Sequence, residues 1–299
     1  MSQTNDSVIV QSLIGKKHLE FYLQCLKSLV HFCEQDIKLL LHTDGSLNQK
    51  HKEEVLSELP NSVLKIIDSQ SNSVAVLDNL RGRPHCQKFR KESIWGIEFF
   101  DPLFAEPNDQ VSYYIDADFL FFRPVAGLFK GGEVKDGAIF LKDDQWDAYC
   151  IRPWHLLGSN PKPNIVQGIT TAIVFWDKMA IDWDYLEWFL GEAKYHKICD
   201  WIMPTAQAGL ARRCKAKTVC SEQITNLYPN AQLTQNTIGG HLLGSYRKEW
   251  LKKLDLQNSS NSGSDERIDA RFHSCSERGA WAYGLNQAKR WVNTRLNIW

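Results

Sequence analysis

The sequence predicts an α/β protein with a mostly parallel central sheet, flanking helices and a C-terminal helical extension. Strand and helix patterns alternate through residues 7–67, which is the order of a parallel sheet with crossover helices. A further strand, residues 110–115, is apolar enough to lie at the sheet centre and ends at two aspartates. The chain has 299 residues, 43% of them hydrophobic and 23% charged, as in ordinary globular domains.

The first half of the chain is expected to form three strands with helices between them. The strand patterns occupy residues 7–13, 36–42 and 63–67, and the helical patterns occupy residues 18–30 and 50–59. The apolar side chains of residues 18–30 recur three and four positions apart, as one helix face requires. Ligands of such sheets bind beyond the carboxyl ends of the strands, so functional residues are expected there.

The remaining elements are shorter and more widely spaced. A basic loop is expected at residues 80–90, followed by a helix over 91–99 that ends at Asp101-Pro102. Further strands are expected at residues 137–141 and 170–176, and further helices at 182–194, 205–213 and 280–299. We divide the chain into a main domain, residues 1–256, with a nucleotide-binding half (1–125) and an acceptor half (126–256). A low-complexity linker (257–268) and a C-terminal helical segment (269–299) follow.

Composition narrows the class of protein. Lys and Arg together equal Asp and Glu at 35 each, so no excess positive charge favours nucleic acid. The eight cysteines contain no C-x-x-C pair, which argues against a zinc ribbon or a redox motif. No leader pattern and no apolar run of about 20 residues is visible. These observations predict a cytoplasmic protein without a transmembrane segment.

The acidic turn Asp116-Ala117-Asp118 is the main functional candidate. Asp-x-Asp is common by chance, and Asp182-Trp183-Asp184 is a second copy in this chain. Asp182 opens a predicted helix, where an acidic residue caps the first turn. Asp116 and Asp118 instead follow a buried strand, where two carboxylates are costly unless they are paired or bound to a cation. In an extended segment residues i and i+2 point the same way, so both can face one Mn²⁺ or Mg²⁺ ion.

A hydrophobic strand that ends in Tyr-Ile-Asp-Ala-Asp and continues into a hydrophobic run and Arg-Pro resembles the GT-A fold of nucleotide-sugar glycosyltransferases. The resemblance implies that Asp116 contacts the ribose or the metal and that Asp118 ligates Mn²⁺ directly, with Ala117 beside the nucleotide. It also implies a nucleotide-sugar donor, UDP-linked rather than GDP-linked, and a glycan, lipid or protein acceptor.

A second element, residues 237–250, reads TIGGHLLGSYRKEW. It resembles in part the H-x-x-G-x-x-K-P-W element of retaining, glycogenin-like transferases. The resemblance implies that His241 is a metal ligand and that Gly244 lies beside the diphosphate. Arg247 stands at the lysine position and Lys248 follows it, so either residue is a candidate for binding phosphate. This element favours a retaining reaction.

The same resemblance suggests the remaining site residues. Arg83, Lys88 and Arg90 belong to the basic loop that family members place near the nucleotide and the donor sugar. Ser12 lies at the end of the first predicted strand and Asp44 follows the second, and the fold binds the nucleoside at these positions.

Residues 164–176, NIVQGITTAIVFW, resemble the loop and strand that line the donor sugar in the family, which implies that Gln167 and Gly168 lie closest to that sugar. Related enzymes carry an acidic residue immediately before the glutamine that corresponds to Gln207, but this chain has Ala206 there, so the role is empty or falls to Asp200. An inverting reaction needs a carboxylate base, for which Asp143, Asp144 or Asp200 is available.

Two other classes remain open. Residues 39–47, LLLHTDGSL, resemble the signature of haloacid-dehalogenase-like phosphatases, but His42 stands where that chemistry requires a nucleophilic aspartate. A non-catalytic protein that binds a nucleotide sugar or a carbohydrate on the same fold is the second alternative. Retention of both Asp116 and Asp118 favours the enzyme.

Overall fold

A computed structural model of the chain describes residues 7–106, 108–144, 149–157, 163–192, 199–244, 246–258, 266–277 and 279–296. The strands are β1 (Val8–Ile14), β2 (Ile37–Thr43), β3 (Val63–Asp68), β4 (Val111–Ile115), β5 (Phe119–Phe121), β6 (Val125–Ala126), β7 (Gly137–Lys142), β8 (Ile169–Asp177), β9 (Lys215–Val219), β10 (Ile224–Asn226), β11 (Gly239–His241), β12 (Ile268–Asp269) and β13 (Phe272–Ser274). The helices are α1 (Leu19–Phe32), α2 (Gln49–Glu58), α3 (Ser73–Asn79), α4 (Pro84–Glu92), α5 (Ile94–Phe104), α6 (Gly131–Val134), α7 (Trp183–Gly191), α8 (Ile202–Ala211), α9 (Arg247–Asn258) and α10 (Ala280–Leu296).

The central sheet has eight strands in the order β13-β9-β7-β8-β4-β1-β2-β3. Strands β4, β1, β2 and β3 pair in parallel, and β9 pairs in parallel with β7. Strand β8 is antiparallel to both of its neighbours, and β13 is antiparallel to β9. The predicted fold class, a mostly parallel sheet with flanking helices, is therefore confirmed.

Helices cover both faces of this sheet. Along β8, Val174 and Trp176 pack with side chains of α5, α7 and α8. Ile173 and Phe175 belong to the other core, which contains side chains of α1 and α2. Successive strand residues point to opposite faces, so the continuous apolar run of β8 supplies both cores of a three-layer protein.

Two small sheets lie beside the large one. Strand β11 pairs antiparallel with β5 and parallel with β10, while β12 pairs with β6. The β5–β11 register places His241 opposite Phe119, the first residue after the acidic turn. This small sheet therefore brings residues that lie more than 120 positions apart in the chain to one place.

The prediction for residues 80–99 is wrong in its boundaries. The basic loop stops at Arg83, because Pro84 begins α4 at a position where a helix has no use for a backbone N–H. A new helix starts after Ser93, whose hydroxyl caps the backbone N–H of Trp95. Helix α5 then continues through Pro102 to Phe104 instead of ending at residue 101.

The C-terminal part is more closely joined to the sheet than the sequence suggested. Residues 259–265 of the predicted linker lie outside the described residues, but α9 reaches Asn258 and Ile268 already belongs to β12. Strand β13 adds to the central sheet before the predicted C-terminal helix, α10, begins. Within the described ranges, no helix is long and apolar enough to cross a bilayer.

Candidate active site

The acidic turn is fixed by backbone hydrogen bonds at the carboxyl end of β4. The Asp116 N–H donates to the Ala172 carbonyl on β8 (2.9 Å), and the Phe119 N–H donates to the Asp116 carbonyl (3.1 Å). Ala117 is buried, as are Phe119 and Phe121 of β5. The apolar residues on both sides therefore anchor the turn in the core.

His241 completes a cluster with the two aspartates. Its Nε2 lies 3.2 Å from Asp118 Oδ1 and 3.9 Å from Asp116 Oδ2. One potential ligand atom from each of the three residues lies within 4.8 Å of the others. We call these residues the Asp-Asp-His cluster. Two carboxylates and an imidazole nitrogen form a ligand set that suits Mn²⁺ or Mg²⁺.

Asn226 determines which nitrogen of His241 faces the aspartates. Asn226 Oδ1 lies 2.8 Å from His241 Nδ1 and is an acceptor, so Nδ1 carries the proton and donates. In the neutral imidazole this leaves the Nε2 lone pair directed at Asp118 Oδ1. Nε2 and Asp118 Oδ1 are then two acceptors 3.2 Å apart, which need a proton or a cation between them. A histidine that donates from one ring nitrogen and directs the other toward a cation is the usual arrangement at metal sites.

Asn226 was missed by the sequence analysis. Its only signal there is a polar residue at the end of a short apolar strand, which is not specific. The asparagine meets His241 through the β10–β11 register, a pairing that spacing along the chain does not reveal.

Asn226→Leu is expected to lower Mn²⁺ affinity about 10–100-fold, because residues that orient a metal-binding histidine have effects of this size. Asn226→Asp is the matched variant, since it keeps an acceptor oxygen beside Nδ1 and should retain most of the affinity. Mn²⁺ titration calorimetry checks both. Equal losses in the two variants would contradict an orienting role for this oxygen.

Arg247 is the basic residue of the late element that reaches the cluster. Its Nη2 donates to Asp118 Oδ2 (2.7 Å), and its guanidinium lies over the Phe21 ring at 4.3 Å. Lys248 is exposed, and Gly244 is exposed in the turn before α9. Of the two candidates for binding phosphate, Arg247 therefore has the better position.

The cluster combines strong electrostatic effects. Burial, and then the charge of Asp118, raise the pKa of Asp116 to about 7. Burial alone would raise the pKa of Asp118, but His241 and Arg247 hold it below its ordinary value. Burial would lower the pKa of His241, whereas the two carboxylates raise it above the usual value. A divalent cation that bound here would therefore compete with protons for Asp116 and His241.

A cavity of about 490 Å³ opens above the cluster. Of the predicted site residues, six line it: Asp44, Asp116, Ala117, Asp118, Asp200 and His241. Its wall also includes Trp95 and Glu98 of α5, Thr171 of β8, and Trp201. The cavity thus lies beyond the carboxyl ends of β1, β2 and β4, where the fold class predicted it.

Ser12 and Arg90 lie inside the protein instead of in the cavity. The Ser12 hydroxyl is fully buried and donates to the Ile115 carbonyl of the neighbouring strand. Arg90 is buried on α4, where its Nη2 donates to Asp101 Oδ2 (2.8 Å) and to the Ser69 carbonyl. Both side chains use their polar atoms to hold elements of the fold together.

The other predicted residues that do not line the cavity are exposed or partly buried. Lys88 is exposed, and the Arg83 guanidinium lies over the Trp183 ring at 5.2 Å. Gln167 Oε1 accepts a hydrogen bond from Ser276 (3.3 Å), and the exposed Asp144 pairs with Lys142 at 3.8 Å.

Glu98 is a cavity residue that the sequence analysis missed. It is buried on α5 at the cavity wall. Burial, and then the charges of Asp116 and Asp118, raise its pKa well above the ordinary value, because each of them disfavours the ionised carboxylate. A single glutamate in the apolar stretch 94–100 was the available signal, because an acid on a buried helix face needs an explanation.

Comparisons with known proteins bear on the fold. No family model matches the sequence, and no curated protein matches it in sequence. The structure is similar to the galactosyltransferase LgtC solved with donor and acceptor sugar analogues, with a TM-score of 0.50 and 11% identity over 87% of this chain and 98% of that one.

It is also similar to mouse xyloside xylosyltransferase 1, with a TM-score of 0.50 and 11% identity over 80% of this chain and 99% of that one. At these identities the similarity concerns the fold. The chain therefore has the GT-A fold that the acidic turn and its flanking strand predicted.

Proposed function

We propose that this chain is a metal-dependent glycosyltransferase that moves a sugar from a nucleoside-diphosphate sugar, UDP-linked rather than GDP-linked, to a hydroxyl acceptor. The observation that carries the proposal is the Asp-Asp-His cluster at the floor of a cavity on a GT-A fold. The two similar structures are a galactosyltransferase and a xylosyltransferase by name.

The ligand set supports Mn²⁺, with Mg²⁺ as the alternative. Asp116, Asp118 and His241 would hold the ion, which when bound would neutralise negative charge on the diphosphate leaving group. Arg247 adds a fixed positive charge at the same place, and stacking on Phe21 limits its freedom to move. These contacts support assigning leaving-group stabilisation to this corner of the cavity.

Other cavity residues suit a sugar nucleotide. The surroundings of Glu98 favour its protonated form, which can donate one hydrogen bond and accept another, as a sugar hydroxyl requires. Trp95 and Trp201 add flat apolar surface to the wall, which can stack on a sugar or a base. Asp44 lies beyond β2, within reach of a nucleoside bound at the end of the sheet.

We propose retention of anomeric configuration, on the basis of the H-x-x-G element that contains His241. Of the carboxylates considered for an inverting reaction, Asp200 lines the cavity, whereas Asp143 accepts a hydrogen bond from Tyr228 (2.8 Å) and Asp144 pairs with Lys142. Asp200 is thus the candidate base if the reaction inverts. NMR assignment of the product anomer distinguishes the two.

The two alternatives predict different behaviour. In the phosphatase reading, position 42 must present a nucleophile to the substrate, but His42 is buried and lies 2.9 Å from Gln11 Oε1. Burial also lowers its pKa to about 3. A non-catalytic binder on the same fold would bind a nucleotide sugar without breaking it.

The test is a thermal-shift screen of UDP and GDP sugars with Mn²⁺, followed by donor hydrolysis. Because a ligand that binds the native state raises the melting temperature, the screen identifies base and sugar together. The proposal expects stabilisation that requires Mn²⁺ and slow release of the nucleoside diphosphate. Binding without hydrolysis or transfer would favour the non-catalytic protein, and no stabilisation by any nucleotide sugar would contradict both.

Mn²⁺ affinity is expected to fall in acid. The pKa of Asp116 is raised to about 7 and that of His241 is also raised, so binding must displace protons at lower pH. Each displaced proton reduces the affinity about tenfold per pH unit below the pKa of its group, so the loss below pH 7 should be at least about tenfold per unit. Calorimetry between about pH 5.5 and 7.5 checks this, and a constant affinity over that range would contradict it.

A cytoplasmic location remains part of the proposal. The seven cysteines whose side chains the structure describes are free thiols. Free thiols are usual in reducing compartments, which supports this assignment.

A further inference from the structure

Among the described side chains of helix α10, Tyr283 is the buried one. Its hydroxyl donates to the Ile151 carbonyl (2.9 Å) or the Tyr149 carbonyl (3.2 Å), and its ring stacks on that of Tyr149 at 6.3 Å. The side chain is completely buried. This anchor fixes which face of α10 packs on the protein and which face remains outside.

The outward face of α10 is apolar. Trp281 is 87% exposed, Leu285 71%, Val292 41% and Leu296 62%. These positions are separated by four, seven and four residues, so they form one stripe along the helix. Trp291, 61% exposed, lies beside the stripe. Large side chains collected on one helix face in this way are typical of a binding surface and not of scattered surface residues.

The 3₁₀ helix at residues 153–156 packs against α10 and adds to the exposed apolar surface. Trp154 is 64% exposed, and Leu157, immediately after this helix, is 62% exposed. We call Trp154, Leu157 and the stripe on α10 the tryptophan face. Five of its six residues are tryptophan or leucine, side chains that are favoured at the boundary between water and lipid.

The charged residues of α10 are all positive. Its sequence contains Lys289, Arg290 and Arg295 and no aspartate or glutamate, although the whole chain has equal numbers of acidic and basic residues. The Arg295 guanidinium lies over the Trp291 ring at 5.1 Å, so a positive charge accompanies the apolar surface. The complementary partner is therefore both apolar and negatively charged.

We propose that the tryptophan face binds the surface of an anionic lipid bilayer, with α10 lying parallel to the membrane plane. An anionic bilayer offers acyl chains for the tryptophans and leucines, and headgroup phosphates for the basic side chains. The tryptophan face contains no residue of the Asp-Asp-His cluster, so membrane binding can be tested separately from the proposed transferase activity.

Vesicle co-sedimentation of the full chain tests the proposal. The native chain should bind phosphatidylcholine vesicles that contain phosphatidylglycerol, and raising the salt concentration should weaken this binding. Phosphatidylcholine alone should bind it weakly. Trp281→Ser combined with Leu285→Ser should reduce binding at least about tenfold, since both apolar groups leave the interface. Lys289→Gln should reduce it about fivefold, the usual effect of one basic residue.

Met179→Ser is the matched control, because Met179 is 85% exposed but lies on a different 3₁₀ helix. It should bind vesicles like the native chain, and circular dichroism should show all variants folded. Failure of the native chain to bind anionic vesicles would overturn the proposal. Binding by the double variant at Trp281 and Leu285 that equals binding by the native chain would also overturn it. A dimer in analytical ultracentrifugation that the Trp281 variant disrupts, without vesicle binding, would assign the face to a second copy of the chain.

Discussion

Asp118→Asn is expected to reduce Mn²⁺-dependent UDP affinity about 100-fold or more. Removing a residue that only orients a metal ligand costs 10–100-fold, and Asp118 would be a ligand itself. The substitution also removes the negative charge opposite Arg247 and His241, which lie 2.7 Å and 3.2 Å from its oxygens. Calorimetric titration of UDP with Mn²⁺, repeated with EDTA, measures the loss.

Asp182→Asn provides the control within the same sequence pattern. Asp182 belongs to the second Asp-x-Asp copy, and its side chain accepts a hydrogen bond from the Tyr185 N–H at the start of α7 (2.9 Å). Asparagine is an equally good N-cap, so stability and UDP affinity should both be nearly unchanged. If UDP affinity were the same in Asp118→Asn, in EDTA and in the native protein, the metal-diphosphate interpretation would be wrong.

Arg90→Ala is expected to lower the free energy of unfolding by about 3–5 kcal/mol, the usual cost of removing one member of a buried ion pair. Asp101 is completely buried and Arg90 nearly so. The substitution leaves the Asp101 carboxylate without the guanidinium that now contacts both of its oxygens. Urea unfolding monitored by circular dichroism measures the change.

Lys88→Ala is the matched control on the same helix, because Lys88 is exposed and should leave stability within about 0.5 kcal/mol. Protein that remains folded in Arg90→Ala should keep its UDP affinity. Normal stability together with weak UDP binding in Arg90→Ala would instead show that this residue contacts the nucleotide.

The first half of the fold could be predicted from periodicity, because β1, β2, β3 and α1 have long and regular apolar patterns. The break at Ser93 could not be predicted in this way. Residues 84–104 are helical on both sides of Ser93, and their helical sequence pattern continues through this position. The Ser93 hydroxyl nevertheless caps a new helix there. Propensity does not distinguish one bent helix from two helices that pack on each other.

The residues of the site also differ in whether the sequence could reveal them. Asp116, Asp118 and His241 belong to short motifs, so their meeting could be anticipated. Asn226 and Glu98 act through contacts across strands and helices, which spacing does not contain. For Ser12 and Arg90 the sequence showed a polar or charged group near the right strand or loop. It did not show that the hydroxyl donates into the sheet or that the guanidinium meets Asp101.

The position of β13 has a consequence for how the chain folds and how it can be shortened. β13 covers the hydrogen-bonding edge of β9, which otherwise would end the sheet. During synthesis this edge stays open from the time β9 has left the ribosome until residue 274 has followed it, so strand pairing between nascent chains is a hazard during that interval. Removal of residues 266–299 would make the hazard permanent, and a shortened protein made to study the cavity alone would aggregate through β9.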